Sequence, residues 1–215
     1  MYYPEEYETI VTYQTIRDAK KVLESVKHQL PCSEKEKILD VGCGPGDLTT
    51  TLLPLYFPQA ITIIGCDISE KMVKYAEKKY GCERIQFKVL DIENPSSWIN
   101  SNKGSFDKIF SSFAFHWMKN FNQVIKNMHD LLKENGHMIS LFLITHPFHE
   151  LYKMIPKFTK WKKFAKPHQR WVEFHSSDKE RKIDFINILE RNNFEIIKCE
   201  VQPEIYLLES LDRAI

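Results

Sequence analysis

The chain has 215 residues, 43% of them hydrophobic and 13% aromatic. That length and apolar content build one domain with a sizeable core and exclude a disordered, collagen-like or low-complexity chain. Thirty basic residues against 29 acidic ones leave a formal charge of +1, which gives no general field for nucleic acid or an anionic membrane.

Taken in chain order, Ile16, Ala19, Leu23, Val26 and Leu30 recur at three- and four-residue spacing and predict an amphipathic helix over 14–30. KILDV (37–41) predicts a buried strand that runs into glycines, and Leu48, Leu52 and Leu55 share one face of a helix over 47–56. ITIIGC (61–66) is β-branched and reads as a fully buried strand. Ser69 is placed to cap a helix that turns Met72, Val73, Ala76 and Tyr80 inward. Strands are expected over 85–90 and 106–113, a helix over 119–133 ended by Asn135-Gly136, and a fifth strand over 137–144. This alternation predicts a doubly wound, mostly parallel α/β sheet. Residues 148–176 break the rhythm and read as an insertion packed over the sheet edge. A helix over 178–193 and a strand over 196–208, bent at Pro203, follow.

The five cysteines, Cys32, Cys43, Cys66, Cys82 and Cys199, form no Cys-x-x-Cys, so neither a disulfide framework nor a Cys-rich zinc site is expected. The polar, acidic start MYYPEEYETI is no signal peptide, and no apolar run is long enough to span a bilayer. A cytoplasmic protein is the expectation. His146, His149, His168 and His175 stand at no recognised ligand spacing, so no metal is expected. The basic, aromatic run KFTKWKKFAK (157–166) reads as a solvated face with Phe158, Trp161 and Phe164 turned inward. Phe113, Phe115, Trp117, Phe148 and Tyr152 fit either a long apolar pocket or plain core packing.

The chemistry concentrates in LDVGCGPGD (39–47). Gly42, Gly44 and Gly46 let backbone approach a ligand where a Cβ would collide. Their spacing differs from the Gly-x-Gly-x-x-Gly of dinucleotide folds. Asp40 just ahead repels a pyrophosphate and suits a cation, which favours S-adenosylmethionine over NAD. Asp67, 21 residues beyond Gly46 and after the second strand, is placed to accept both ribose hydroxyls. Asp91 follows the third strand and is placed to accept an adenine amino group, while Ile92 offers backbone and an apolar face.

Together LDVGCGPGD, GCDISEKMVKYAEKKYG, VLDIE and FDKIFSSFAFHWMKN resemble class I S-adenosylmethionine-dependent methyltransferases, and more narrowly the insect juvenile hormone acid O-methyltransferases. THPFHELYKMIPKFTKW (145–161) resembles that family's insertion. The resemblance implies a Rossmann-like fold and methyl transfer to the carboxylate of a sesquiterpenoid acid, juvenile hormone acid or farnesoic acid. It puts Asp40, Gly42, Cys43, Gly44, Gly46, Asp67, Ile68, Asp91, Ile92 and Ser111 on the cofactor side. Gln14, His116 and Trp117 fall on the reacting side, with His116 either touching the substrate or serving as a structural histidine. It also implies one methyltransferase domain over 1–215. Within it, 1–145 is the cofactor-binding core, 146–177 the substrate-side insertion and 178–215 a C-terminal helix and edge strand. In the family a final antiparallel strand follows the point where this sequence ends, so the expected sheet lacks it. The expected partner is a small isoprenoid acid, with neither nucleic acid nor membrane insertion, and a monomer or homodimer. The alternatives are another small apolar or carboxylate substrate, or a non-catalytic S-adenosylmethionine-binding form.

Overall fold

The computed structural model describes residues 3–31, 33–144, 158 and 178–203. Five strands form one sheet: β1 (Glu36–Val41), β2 (Ala60–Asp67), β3 (Ile85–Val89), β4 (Phe106–Ser112) and β5 (Leu132–Leu141). Their order is β3-β2-β1-β4-β5 and every pairing is parallel. The chain therefore winds outward through β1, β2 and β3, then returns to the other side of β1 to lay down β4 and β5. The reversal lies between β1 and β4, and open α/β sheets bind ligands beyond the carboxyl ends of the strands at such a point.

Side chains alternate across each strand, so successive residues feed opposite faces. Ile38, Ile63, Ile85, Phe110 and Ile139 enter one core, closed by Ala19 and Leu23 of α1 (Pro4–Val26) and by Leu48, Leu52 and Leu53. Leu39, Val41, Cys66 and Ile109 enter the other. That second core is closed by Ile99 of α2 (Ser97–Ser101), by Phe121, Val124, Ile125, Met128 and Leu131 of α3 (Phe121–Leu131), and by Leu189 of α4 (Asp178–Arg191). Each of these larger apolar side chains contributes about 1.5–3 kcal/mol of burial, and the two cores hold the sheet from both sides. A further helix, α5 (Glu70–Tyr80), packs on β2 and β3. Ser69 caps it, its Oγ accepting from the Met72 N–H at 3.5 Å. No helix among the described residues is long and apolar enough to cross a membrane.

Several element boundaries differ from the sequence expectation. The first helix starts at Pro4, where Pro and the acids Glu5 and Glu6 suit a first turn, and it ends at Val26 rather than Leu30. The helix expected over 47–56 is two short helices, Asp47–Thr51 and Leu53–Tyr56. Pro54 has no N–H for the Thr50 carbonyl, so the turn breaks ahead of it. The helix over 121–131 ends early because Gly104 and Ser105 N–H take the Asp130 and Leu131 carbonyls at 2.9 and 3.0 Å. Asn135-Gly136 thus lies within β5, in an irregularity between the Phe106–Leu132 and Lys108–His137 pairs, and does not end the helix. The expected strand over 196–208 is absent from its described part: residues 195–203 carry no regular structure, and 204–208 fall outside the described residues. Most of the insertion does too, including His146, His149, His168, His175, Phe148, Tyr152, Trp161 and Phe164. Phe158 is described and is 53% exposed, not turned inward.

Candidate functional site

The carboxyl ends of β1, β2, β3 and β4 bring together the glycine loop, Asp67, the turn at Asp91 and the segment after Ser112. The loop doubles back on β2. Gly42 and Cys43 N–H both donate to the Cys66 carbonyl, at 2.8 and 3.0 Å, and Gly46 N–H donates to the Cys43 carbonyl at 3.1 Å. Gly44 N–H donates to Asp67 Oδ2 at 3.0 Å. Pro45 has no N–H, so the amide donors from Gly42 to Gly46 are all used inside the protein. A phosphate cradle needs those donors free.

Carboxylates surround the loop instead. Asp40 is buried and its Oδ2 accepts from Thr49 Oγ1 at 2.6 Å. Burial pushes its carboxyl up to about 7; the Thr49 hydroxyl pulls against that, and the charges of Asp47 and Asp67 add to it. Asp67 accepts from Ser69 N–H at 2.8 Å as well as from Gly44, and burial raises its carboxyl against those two hydrogen bonds. Three carboxylates, Asp40, Asp47 and Asp67, around glycines whose amides are already engaged suit a cation, so the residues present fit the sulfonium and ammonium groups of S-adenosylmethionine better than a pyrophosphate.

Two glycines of the loop are required both by a positive φ and by a close neighbour. Gly42 has φ +78°, and a Cβ there would stand 2.2 Å from the Ala114 Cβ. Gly46 has φ +86°, and a Cβ there would run into Ala76 and the Phe87 ring at 2.8 Å. The first contact matters for the site, because Ala114 opens the His-Trp turn. Phe113 adopts φ 53°, a conformation costing a non-glycine residue about 1–2 kcal/mol. It redirects the chain from β4 into a 3₁₀ helix over Phe115–Trp117. Phe115 is buried among Phe121, Phe142 and Phe185, which settles it as core. His116 is buried and Trp117 is 48% exposed, their rings 5.3 Å apart. Beyond them, Lys119 and Asn120 N–H both donate to Glu93 Oε2 at 2.9 Å. The His-Trp turn is thus held between the glycine loop and the turn that carries Asp91.

The other candidates are placed as follows. Asp91 receives Glu93 N–H at 2.9 Å and Asn94 Nδ2 at 2.6 Å, so its carboxylate shapes its own turn. Ile92 is buried in the core and its carbonyl accepts from Asn127 Nδ2 at 2.7 Å, while Ile68 is 64% exposed beside Asp67. Ser111 is buried and its hydroxyl donates to the Val41 carbonyl at 2.8 Å, tying β4 to β1. Cys43 is buried and burial raises its thiol well above the usual range, so it stays a neutral thiol. Gln14 is half-buried on α1.

Three residues escaped the sequence reading. Tyr7 stands over Gly44, its Cε1 4.0 Å from where a Cβ would be, and burial with the Asp47 and Asp67 charges pushes its hydroxyl up to about 12. The available signal was its position seven residues before Gln14, on the same helical face. Glu93 bridges to residues distant in sequence and left no local signal. Ser112 ends β4 with a buried hydroxyl that has no hydrogen-bond partner among the described residues.

Two curated relatives are similar over most of the chain. Juvenile hormone acid O-methyltransferase of Bombyx mori is 30% identical over 198 residues, covering 91% of this chain and 70% of that enzyme. The enzyme of the same name from Drosophila melanogaster is 29% identical over 198 residues, covering 90% of this chain and 66% of its own length. Among solved structures, a TehB-like SAM-dependent methyltransferase from Corynebacterium glutamicum superposes with a TM-score of 0.53. At 18% identity it covers 88% of this chain and 82% of that one, and it agrees in fold. The model of the methyltransferase domain matches residues 32–195. That span runs from just before β1 to beyond α4 and takes in every strand end described above. On that match the chain belongs to the methyltransferase-domain family, the class I enzymes that draw their methyl group from S-adenosylmethionine.

Proposed function

We propose that this protein methylates the carboxylate of a sesquiterpenoid acid, farnesoic acid or juvenile hormone acid. The observation that carries the reading is the position of the His116-Trp117 turn. It abuts the glycine loop through Ala114 and Gly42, and Glu93 fixes its far end. A substrate held at Trp117 therefore lies next to the cofactor side of the cleft. The names of the two insect relatives support an acid as acceptor.

The chemistry asks little of a base. A carboxylate is already ionised at neutral pH, and S-adenosylmethionine supplies a methyl group on a positively charged sulfur. Opposite charges are lost as the methyl passes to oxygen, so rate comes from positioning and from exclusion of water. In this reading Asp40, Asp67 and the loop hold the cofactor, with Asp91 near its base and Ile68 as an apolar face. The Trp117 indole N–H and the Gln14 amide are the donors that orient the carboxylate oxygens. His116, buried behind Trp117, fixes that ring.

The test is transfer of labelled methyl from S-adenosylmethionine to farnesoic acid, juvenile hormone acid and a short-chain fatty acid, counted in an organic extract. Label in the two sesquiterpenoid acids and little in the short acid is expected. Trp117→Ala should lower turnover by about tenfold or more while leaving S-adenosylhomocysteine affinity within about twofold. Label in none of the acids contradicts the substrate class.

A further inference from the structure

Helix α1 has two anchors of different kinds. Its second half is fixed by apolar burial, with Ala19 and Leu23 fully inside the core. Its first half is fixed by Glu8. Glu8 accepts from Tyr75 Oη at 2.8 Å, from Lys79 Nζ at 2.8 and 2.6 Å, and from Tyr80 Oη. Lys79 Nζ also donates to Tyr75 Oη at 3.0 Å and lies over both tyrosine rings, 5.2 and 5.0 Å from their centroids. All three partners are on α5. These charge-assisted bonds hold Glu8 below the usual carboxylate range against a burial effect that acts the other way.

The neighbour of Glu8 is Tyr7, the residue over Gly44. Eleven residues separate Glu8 from Ala19, about 16 Å of helix. A polar clamp at one end and an apolar anchor at the other thus hold the helix, and the clamped end is the one that lies over the glycine loop. Tyr7 is partly buried over Gly44, close enough to Asp47 and Asp67 for their charges to raise its hydroxyl.

We propose that the Glu8–Tyr75–Lys79–Tyr80 cluster is a latch that holds α1 across the cofactor cleft, and that its opening gates cofactor exchange. Tyr7 is the residue that closes over the loop, and Glu8 and Lys79 are positioning residues that act through it. The inference rests on the reading of this cleft as the S-adenosylmethionine site. A gate must open both for entry and for release. Weakening it therefore speeds both steps and changes affinity little, whereas a residue that simply contacts the ligand changes release alone.

The experiment compares the wild type with Glu8→Ala, Lys79→Met and Glu24→Gln in stopped-flow binding of S-adenosylhomocysteine, alongside amide hydrogen exchange of residues 4–12 without ligand. Glu24 is the control, since it pairs with Lys27 and accepts from Tyr56 Oη at the other end of the same helix, a comparable polar anchor away from the glycine loop. Glu8→Ala and Lys79→Met are expected to raise the association and dissociation rates together, each by roughly tenfold, and to speed exchange of residues 4–12. Glu24→Gln is expected to change neither. Faster exchange with unchanged binding rates overturns the gate, and so does a rise in dissociation alone. Failure of the wild type to bind S-adenosylhomocysteine overturns the cofactor reading beneath it, an outcome distinct from binding at unaltered rates in the variants.

Discussion

At the scale of single residues, Asp40 shows most directly what the cleft selects. Its carboxyl sits at about 7 because burial and two neighbouring carboxylates disfavour its charge, whereas an unfolded aspartate titrates near about 3.9. Between those values the folded, ligand-free protein keeps a proton that the unfolded chain gives up. The stabilisation is whole below about pH 4 and lost as pH rises through about 7, at most about 1.4 kcal/mol per pH unit in between. Thermal melts of the ligand-free protein should therefore show Asp40→Asn gaining stability relative to wild type as pH rises from 5 to 8. A cation bound beside Asp40 favours its ionised form, so wild-type affinity for S-adenosylmethionine should rise over the same window and flatten in Asp40→Asn. Parallel pH profiles for the two proteins would contradict this. The loop and its acids were legible because they are contiguous or lie at a fixed distance beyond a strand. Tyr7 and Glu93 were not, since packing brings Tyr7 to Gly44, 37 residues on, and Glu93 to Lys119, 26 residues on.

At the scale of elements, the strand ends place the cleft and the close approach of two turns shapes it. The Gly42–Ala114 contact admits no Cβ on the first residue. Gly42→Ala is expected to cost about 2–4 kcal/mol in urea unfolding, from overpacking and from a positive φ. Adding Ala114→Gly removes one side of the clash and should recover part of that loss, a coupling expected of residues in contact. Additive losses would show that the turns are not pressed together. Strands β1 to β4 and the Ser69 cap were readable from β-branched runs and spacing, whereas the strand expected over 196–208 is not formed in its described part. The first ten residues of α1 carry tyrosines and acids rather than an apolar stripe, so its start was not. The early end of the helix at Leu131 depends on carbonyls taken by Gly104 and Ser105 from another part of the chain, which no local pattern announces.

Across the whole molecule the two edges of the sheet have separate roles. The carboxyl edge carries the cleft. The amino edge carries a buried ion pair, Lys108 on β4 with Glu36 on β1, and Lys108 also donates to the Pro31 carbonyl at 2.9 Å. Both side chains are buried; Glu36 Oε1 takes Lys108 and also accepts from Ser33 N–H at 2.9 Å, while Oε2 has no hydrogen-bond partner among the described residues. Lys108→Met strands a buried carboxylate and should cost about 3–5 kcal/mol. Glu36→Gln combined with it should restore much of the loss, and S-adenosylhomocysteine affinity should stay unchanged in both. A loss of affinity would mean that the two edges are coupled. The parallel, doubly wound sheet was legible from the alternation of strands and helices. The residues expected as an insertion, 146–177, gave no helix or strand period to read, and the proposed acid acceptor draws on the His-Trp turn and on the names of the insect relatives. The measurement that bears most directly on the cleft is calorimetric titration of S-adenosylmethionine into the wild type and Asp67→Asn. Saturable binding by the wild type that weakens by about tenfold or more in the variant, consistent with loss of a hydrogen-bonded charge, is the expected result. Equal affinity in the two proteins would show that the cofactor does not sit on the glycine loop.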